Sequence, residues 1–280
     1  MPALEAHMPG DGPPVLDTRA EADFLAGHLP GAASIPLEEL AARAHELPPK
    51  GAAIAIFDAD PGRLARAADA LAARGYAVTP TKPRGALARA LTETGPARVR
   101  LWRPSPLVAE AIALVAAEAC SSAADVRRAL DLACGSGRDA VALALAGYEV
   151  DAVDVLPDAL ERARDLAARS SVTVRTALQD LKREPRLPEA RYDVAVMVRF
   201  LHRPLLAALG RSVAPGGLAV CEVFHRADAP PGRTPLGTDH TVADGELAAF
   251  FPGFEPLIAR DRVARGGRVF AQLIARRPAR

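Results

Sequence analysis

Two successive α/β domains, each built on parallel strands, are what the 280-residue sequence predicts. Short apolar runs alternate with helix-period runs from Val15 to Thr79, and again from Ala129 to the C-terminal region. That alternation is the pattern of a parallel sheet covered by helices. Between the two series lies PTKPRGALARALTETGPARVRLWRPSP, whose five prolines interrupt both periods. The boundary is placed at Pro96, giving domains 1–96 and 97–280. The chain is 50% apolar and 25% charged with a formal net charge of +1. That content supplies ordinary globular cores and no global field for nucleic acid or an anionic membrane.

In the first series the strands are VLD, AASIP, AAIAIFD and YAVT, and the helical runs are EADFLAGH, LEELAARAHEL and PGRLARAADALAARG. The last helix is the best defined. Asp60 can cap it, Pro61 suits its first turn and Gly75 its C-terminal turn, while Leu64, Ala67, Ala68 and Leu71 share one face. A helix over Leu107–Cys120 leads into the second series. There ALDLA is a strand, CGSGR a turn and RDAVALALAG a helix closed by Gly147; YEVDAVD and LPDALERARDLAAR follow as strand and helix. VTVRTAL, YDVAVMVRF and LAVCEVF are further strands, with helices RPLLAALGRSV and VADGELAAFF. The stretch HRADAPPGRTPLGTDH reads as a long loop. The end differs: FEPLIARDRVA, Gly266-Gly267 and RVFAQLIARR make an antiparallel hairpin.

Cys120, Cys134 and Cys221 form no CxxC pair and no zinc-spaced cluster, so neither a disulfide framework nor a metal site is expected. Sparse thiols fit a reducing compartment. The segment MPALEAHMPGDGPP lacks the apolar core of a secretory signal. No stretch reaches the ~18 uninterrupted apolar residues of a membrane span. The expectation is a cytoplasmic protein.

Gly135-Ser136-Gly137, between a strand and a helix, is a loop that lets a ligand approach bare backbone, and Asp154 ends the next strand. A dinucleotide and S-adenosylmethionine both use this layout. Asp131, four residues before the first glycine, separates them. A pyrophosphate would face its carboxylate, an unfavourable like-charge contact, whereas the methionyl ammonium of S-adenosylmethionine wants one. An aspartate that merely caps its own loop is compatible with either.

The segments LDLACGSGRDAVALA, VDAVDVLPDALERAR, RYDVAVMVRFLHRPLLAAL and VAPGGLAVCEVF resemble, in order, the motifs of class I methyltransferases dependent on S-adenosylmethionine, and GSGRD is similar to the tellurite-resistance branch. The resemblance covers about residues 98–280 and implies a Rossmann-like seven-stranded sheet ending in the antiparallel hairpin. It also implies the roles of single residues. Gly135, Ser136 and Gly137 would receive the methionyl part, with Asp131 near its ammonium; Arg138 either meets its carboxylate or is a solvated helix-start arginine. Asp154 would accept the ribose hydroxyls, Val155 and Leu156 would flank the adenine, and Asp180 and Leu181 would read its edge.

The strand end MVRFLHRP lies where open α/β sheets bind ligands, which makes Arg199 and His202 the catalytic-side candidates. His202 either deprotonates or orients an acceptor, or is a capping or core histidine. Glu222 leaves the next strand at the same edge, either to reach the acceptor or to meet water. Trp102 either covers the cofactor or packs between domains.

VLDTRAEADFLAGHLPGAASIPLEEL closely resembles the opening of rhodanese-like domains, through Asp17-x-Arg19, Gly27-His28-x-Pro30-Gly31-Ala32 and Ile35-Pro36. Active members of that family carry a cysteine after the central strand, opening a loop closed by arginine. Here AIFDADPGR puts Asp58 at that position, Asp60 adds repulsion for an anion and Pro61 removes an N–H donor. A non-catalytic domain is expected, with Asp17, Arg19 and His28 as an internal polar network.

The whole reads as an S-adenosylmethionine-dependent methyltransferase acting on a small molecule: a thiol, a chalcogen oxyanion or a small metabolite. Neither half shows a basic, aromatic-interleaved surface for nucleic acid. The alternative is a non-enzymatic sensor or scaffold that binds the cofactor without transferring a group.

Overall fold

The computed structural model describes residues 13–81, 93–118, 126–226, 236–264 and 267–279. The chain divides into two compact units, Met1–Arg103 and Pro104–Arg280. Each has its own sheet and core.

In the first unit β1 (Val15–Asp17), β2 (Ala32–Ser34), β3 (Ala53–Phe57) and β4 (Ala77–Pro80) form a parallel sheet in the order β2-β1-β3-β4. Its core gathers Leu16, Ile35, Ile54, Ile56, Leu64 and Leu71. Helix α1 spans Glu21–Ala26 and α2 Pro61–Ala72. Asp60 caps α2 by accepting the Arg63 N–H at 2.7 Å, and Pro61 occupies the first turn, where no N–H is needed. The stretch LEELAARAHEL departs from expectation: it forms two single turns of 3₁₀ helix, Leu37–Glu39 and Ala44–Glu46. Arg43, between them, is held by Glu39, Glu46 and the Ser34 carbonyl, so side-chain pairing organises this segment instead of a continuous backbone ladder.

The second unit begins with α3 (Pro106–Glu118); positions 119–120 of the expected helix lie outside the described residues. It continues through β5 (Arg128–Leu132), α4 (Arg138–Leu145), β6 (Glu149–Asp154), α5 (Pro157–Arg169), β7 (Val174–Leu178), β8 (Tyr192–Val198), α6 (Arg203–Ser212) and β9 (Val213–His225). After these come β10 (Thr241–Val242), α7 (Glu246–Ala249), β11 (Glu255–Val263) and β12 (Val269–Arg276). The strand order is β11-β12-β9-β8-β5-β6-β7, parallel from β9 to β7, with β12 antiparallel to both neighbours. The sheet is Rossmann-like and ends in the antiparallel hairpin, whose expected Gly266 lies outside the described residues. The buried strands are mostly apolar, and Leu130, Leu132, Ala195, Met197, Ala219, Cys221 and Leu273 share one core, with Asp131, Glu222 and Gln272 as buried polar exceptions.

The stretch VADGELAAFF also differs from expectation. Val242 is fully buried in β10, which pairs in parallel with the end of β9, and only one helical turn, α7, follows. Gly245 sets this limit, since its φ of +71° is incompatible with a helix interior. Part of the loop after His225 lies outside the described residues. Among the described residues, no helix is long and apolar enough to cross a membrane.

The chain moves outward from β5 through β6 to β7, then returns to β8 on the other side of β5, so the topological switch point lies between β5 and β8. The turn after β5 is held there by a tight packing constraint. Gly137 has φ +76°, and a Cβ on it would lie 2.6 Å from the Ala163 Cβ of α5. Gly137→Ala is therefore expected to destabilise the second unit by about 2–4 kcal/mol, combining overpacking with a left-handed backbone. Ala163→Gly should restore part of this loss, measured as the urea midpoint of the single and double variants.

Candidate functional site

At the C-terminal end of β5 the backbone turns through Ala133, whose φ of +55° is strained for a residue with a Cβ. The Cys134 N–H donates to the Val153 carbonyl at 3.1 Å and the Gly135 N–H to Asp154 Oδ2 at 2.8 Å. These two bonds tie the loop to β6. Asp154 Oδ1 accepts the Leu156 N–H at 3.0 Å, so each carboxylate oxygen has one backbone donor and a further lone-pair site. Gly135, with φ +54°, would present an added Cβ to no atom within 4 Å. The glycine requirement at 137 comes from helix packing inside the protein, not from a ligand pressed against bare backbone; at 135 the side facing away from the chain is open.

Asp131 is the unusual group. It is 2% exposed, and its Oδ2 has no hydrogen-bond partner among the described residues. Burial pushes its carboxyl well above the usual carboxylate range, and the charges of Asp139 and Asp154 push the same way, against one backbone bond from the Ala140 N–H. Asp139, half-buried at the start of α4, is raised by burial despite accepting the Ser105 N–H at 2.6 Å, with Arg138 and Arg199 opposing the shift. Three carboxyls thus face one loop, and the most buried of them keeps an oxygen unpaired. Such a site favours a cation and disfavours a phosphate.

Of the other sequence candidates, Val155 and Leu156 are 54% and 57% exposed beside Asp154, an apolar pair left at the surface. The Gln179 N–H donates to the Asp154 carbonyl at 3.0 Å, which brings the β7 exit to the same place. Asp180 there accepts the Lys182 N–H at 3.0 Å, closing its own turn, and the Leu181 side chain is buried in the core. Ser136 in the loop and Arg138 at the first position of α4 are half-buried.

Across the switch point, Arg199 follows β8 with φ +59°. Its N–H donates to the Glu222 carbonyl at 2.6 Å, and its Nε to Glu222 Oε1 at 3.4 Å. His202 caps α6 through its carbonyl, which accepts from Leu205 and Leu206, while its buried Nδ1 has no hydrogen-bond partner among the described residues. The loop residues and Asp154 are brought together by hydrogen bonds; Arg199 joins them through its charge on Asp139, and among the described residues no such tie links His202 to them. Burial raises the thiols of Cys134 and Cys221 well above their ordinary value, so neither is a thiolate nucleophile at neutral pH. Sequence reasoning left out Asp139, although an acid two residues after the second glycine is a legible sign of another charge at the loop. His225, Asp244 and Asp261 have ligand-type atoms within 4.8 Å of one another, with both aspartates exposed. A surface hollow lined by Tyr148, Glu149 and Arg175 lies at the opposite end of β6 and shares no residue with the loop.

In the first unit, Asp58 follows β3 and is 5% exposed. Its Oδ2 accepts from Thr18 Oγ1 at 3.0 Å and Arg63 Nε at 3.2 Å, and its Oδ1 from the Asp60 N–H at 3.0 Å. Arg63 also donates to both oxygens of Glu38 and to the Thr18 carbonyl. The hydrogen bond from Arg63 pulls the Glu38 carboxyl down to about 2. Asp17 is paired with Arg19 at 2.7 Å, and His28 bonds the Phe24 carbonyl while stacking on its ring.

A mostly parallel sheet, a glycine loop at its switch point and an acid at the next strand end define the second unit as a doubly wound cofactor-binding domain. Residues 129–217 match the methyltransferase domain family and residues 2–81 the rhodanese-like domain family. The chain therefore carries a rhodanese-like domain followed by a class I methyltransferase domain. It is 22% identical over 285 residues to an uncharacterized protein of Schizosaccharomyces pombe, covering 84% of this chain and 83% of that one. A protein-L-isoaspartate O-methyltransferase of Methanoculleus marisnigri is 34% identical over 119 residues, which are 39% of this chain and 54% of that enzyme. Among solved structures, TehB from Haemophilus influenzae aligns with a TM-score of 0.49 and 23% identity, over 59% of this chain and 60% of that one.

The raised Asp131 carboxyl gives a pH dependence with a definite sign. Between the ordinary aspartate range near pH 4 and its raised value, the folded state holds more protons than the unfolded one, so its contribution to stability falls as pH rises. Asp131→Asn is expected to stabilise the ligand-free protein by about 1–3 kcal/mol at pH 8. The gain should shrink toward pH 4, as read from thermal melts across that range.

Proposed function

We propose that the second domain transfers a methyl group from S-adenosylmethionine to a small-molecule acceptor. The observation that carries this reading is the unpaired oxygen of Asp131 in a site of three carboxyls. It fits the ammonium of an amino-acid moiety and repels the pyrophosphate of a dinucleotide. Gly135, Ser136 and Gly137 bind the methionyl part against the loop, and Arg138 faces its carboxylate. Asp154, oriented by two backbone N–H groups, has lone pairs left for the ribose hydroxyls. Val155 and Leu156 cover one face of the adenine, with Asp180 and the Leu181 N–H at its edge. The cofactor, when bound, would supply a methyl group on a sulfonium, and the acceptor would take that methyl in line while the sulfur leaves as the thioether of S-adenosylhomocysteine. Arg199 and His202 hold and orient that acceptor, His202 with a ring nitrogen available to take its proton.

The first domain, in this reading, transfers no sulfur. Asp58 has no thiol, and Arg63, which closes the loop, is committed to Asp58, Glu38 and the Thr18 carbonyl.

Isothermal titration of the full-length chain should give binding of S-adenosylmethionine and S-adenosylhomocysteine and none of NAD. Asp154→Ala should weaken that binding by about 1–3 kcal/mol, since charge-assisted bonds to the ribose are lost. Binding of NAD in place of S-adenosylhomocysteine would overturn the reading. Release of S-adenosylhomocysteine across a panel of small thiols and oxyanions separates an enzyme from a sensor that binds without turnover.

The full-length protein should also move no sulfur from thiosulfate to cyanide. Asp58→Cys alone should recover little, because Asp60 still repels the donor anion and Pro61 still lacks an N–H. Restoration of substantial turnover by that one change would show that the rest of the loop is intact.

A further inference from the structure

At the acceptor side of the same sheet edge lies a network of which the methyl-transfer reading uses Arg199 alone. Glu222 on β9 is fully buried. Its Oε2 accepts from Gln272 Nε2 at 2.6 Å, across the β9–β12 pairing that sets the two residues opposite each other. Gln272 in turn accepts from Arg260 Nε on β11, and Arg260 is paired with Glu110 of α3. A polar row thus crosses three strands and ends on a helix. At its end toward the loops stand two more arginines. Arg199 Nε lies 3.4 Å from Glu222 Oε1, and Arg262 Nη1 lies 3.8 Å from Glu222 Oε2.

Both heads reach outward, with side chains 51% and 36% exposed. A guanidinium has five donors, and one buried carboxylate cannot satisfy two of them. Arg260 is paired with Glu110, whereas among the described residues Arg199 and Arg262 share Glu222, which leaves several of their donors unused. Asp139 at the start of α4 also acts on Arg199 through its charge. Arg199 is further fixed by its ring contact, 5.6 Å above Phe270, and by the φ of +59° that turns it off the strand. Strain of this kind persists where the surroundings over-determine a residue, and it gathers at binding sites.

We infer that Arg199 and Arg262, held by the buried Glu222, form a clamp for an anionic group on the methyl acceptor. The acceptor is thereby a carboxylate- or oxyanion-bearing small molecule, and Glu222 is a positioning residue. The inference rests on the methyl-transfer reading, for which it names the acceptor class. The same chemistry would suit the cofactor's own carboxylate, so the test separates the two sources.

The full-length chain, saturated with S-adenosylhomocysteine, is titrated calorimetrically with benzoate, phenylphosphonate and inorganic sulfate, and with benzamide as the neutral counterpart of benzoate. At least one anion is expected to bind at millimolar or lower concentration, and benzamide is not. Arg199→Gln and Arg262→Gln should each weaken the anion about tenfold or more. Arg211→Gln, which removes the same charge from an exposed site on α6, should leave it within about twofold. No anion binding up to tens of millimolar, equal binding of benzamide, or anion binding that survives both variants would overturn the clamp. Loss of S-adenosylhomocysteine affinity in both variants, without anion binding to the loaded protein, would give the arginines to the cofactor and also overturn it. Failure of S-adenosylhomocysteine to bind the unaltered chain is a different result, and it removes the methyl-transfer reading itself.

Discussion

Burying a carboxyl group beside two others is costly, and the loop after β5 is organised around it. Asp131 cannot be relieved from within, since β5 is flanked by β6 and β8 and Asp139 and Asp154 are its charged neighbours. The surrounding geometry is correspondingly stiff. Asp154 pins Gly135, the Val153 carbonyl pins Cys134, and Gly137 is locked against Ala163. A loop with these ties cannot relax to give Asp131 a partner. The free energy stored there is available to a ligand that brings a positive charge, so part of its affinity comes from relieving an existing penalty.

The first domain holds a buried carboxylate under opposite conditions. Asp58 is about as buried as Asp154, yet it has a hydroxyl, a backbone N–H and a guanidinium as partners. Arg63 is matched in turn by Glu38, so the charge chain closes on itself. A buried ion pair with its remaining donors satisfied gains little from a new anion and would lose much by breaking. The two domains therefore differ in whether their buried acid is already satisfied, which is why one reads as a cofactor site and the other as a completed network.

Most of the architecture was legible because it is written locally. Asp60 and Pro61 announce α2, the glycine loop and Asp154 mark the β5–β6 crossover, and apolar strands of the second series predict a sheet buried on both faces. The misread segments are those where side chains or a single glycine override periodicity. In LEELAARAHEL, Arg43 ties neighbouring turns together, and in VADGELAAFF, Gly245 breaks the helix while Val242 is taken by β9. The opposition of Glu222 and Gln272 was not legible, for a physical reason. Those residues are 50 positions apart, and only strand register makes them neighbours. The role of Gly137 was hidden in the same way, since Ala163 meets it through helix packing.

That register bears on how the acceptor side is built. Glu222 lies in the interior of the sheet, where an unpaired carboxylate would be prohibitive, so the fold itself requires cationic partners at that position. Gln272 satisfies one oxygen from the neighbouring strand, and the arginines must approach from the loop end. Part of their side-chain freedom is therefore lost on folding, before any ligand arrives. An anion meeting the clamp encounters Arg199 already restrained by Glu222 and Phe270 and Arg262 drawn to the same carboxylate, which lowers the ordering cost that unrestrained surface arginines carry. The buried acid and the exposed cations thus form one device, with stability of the sheet and orientation of the acceptor resting on the same carboxylate.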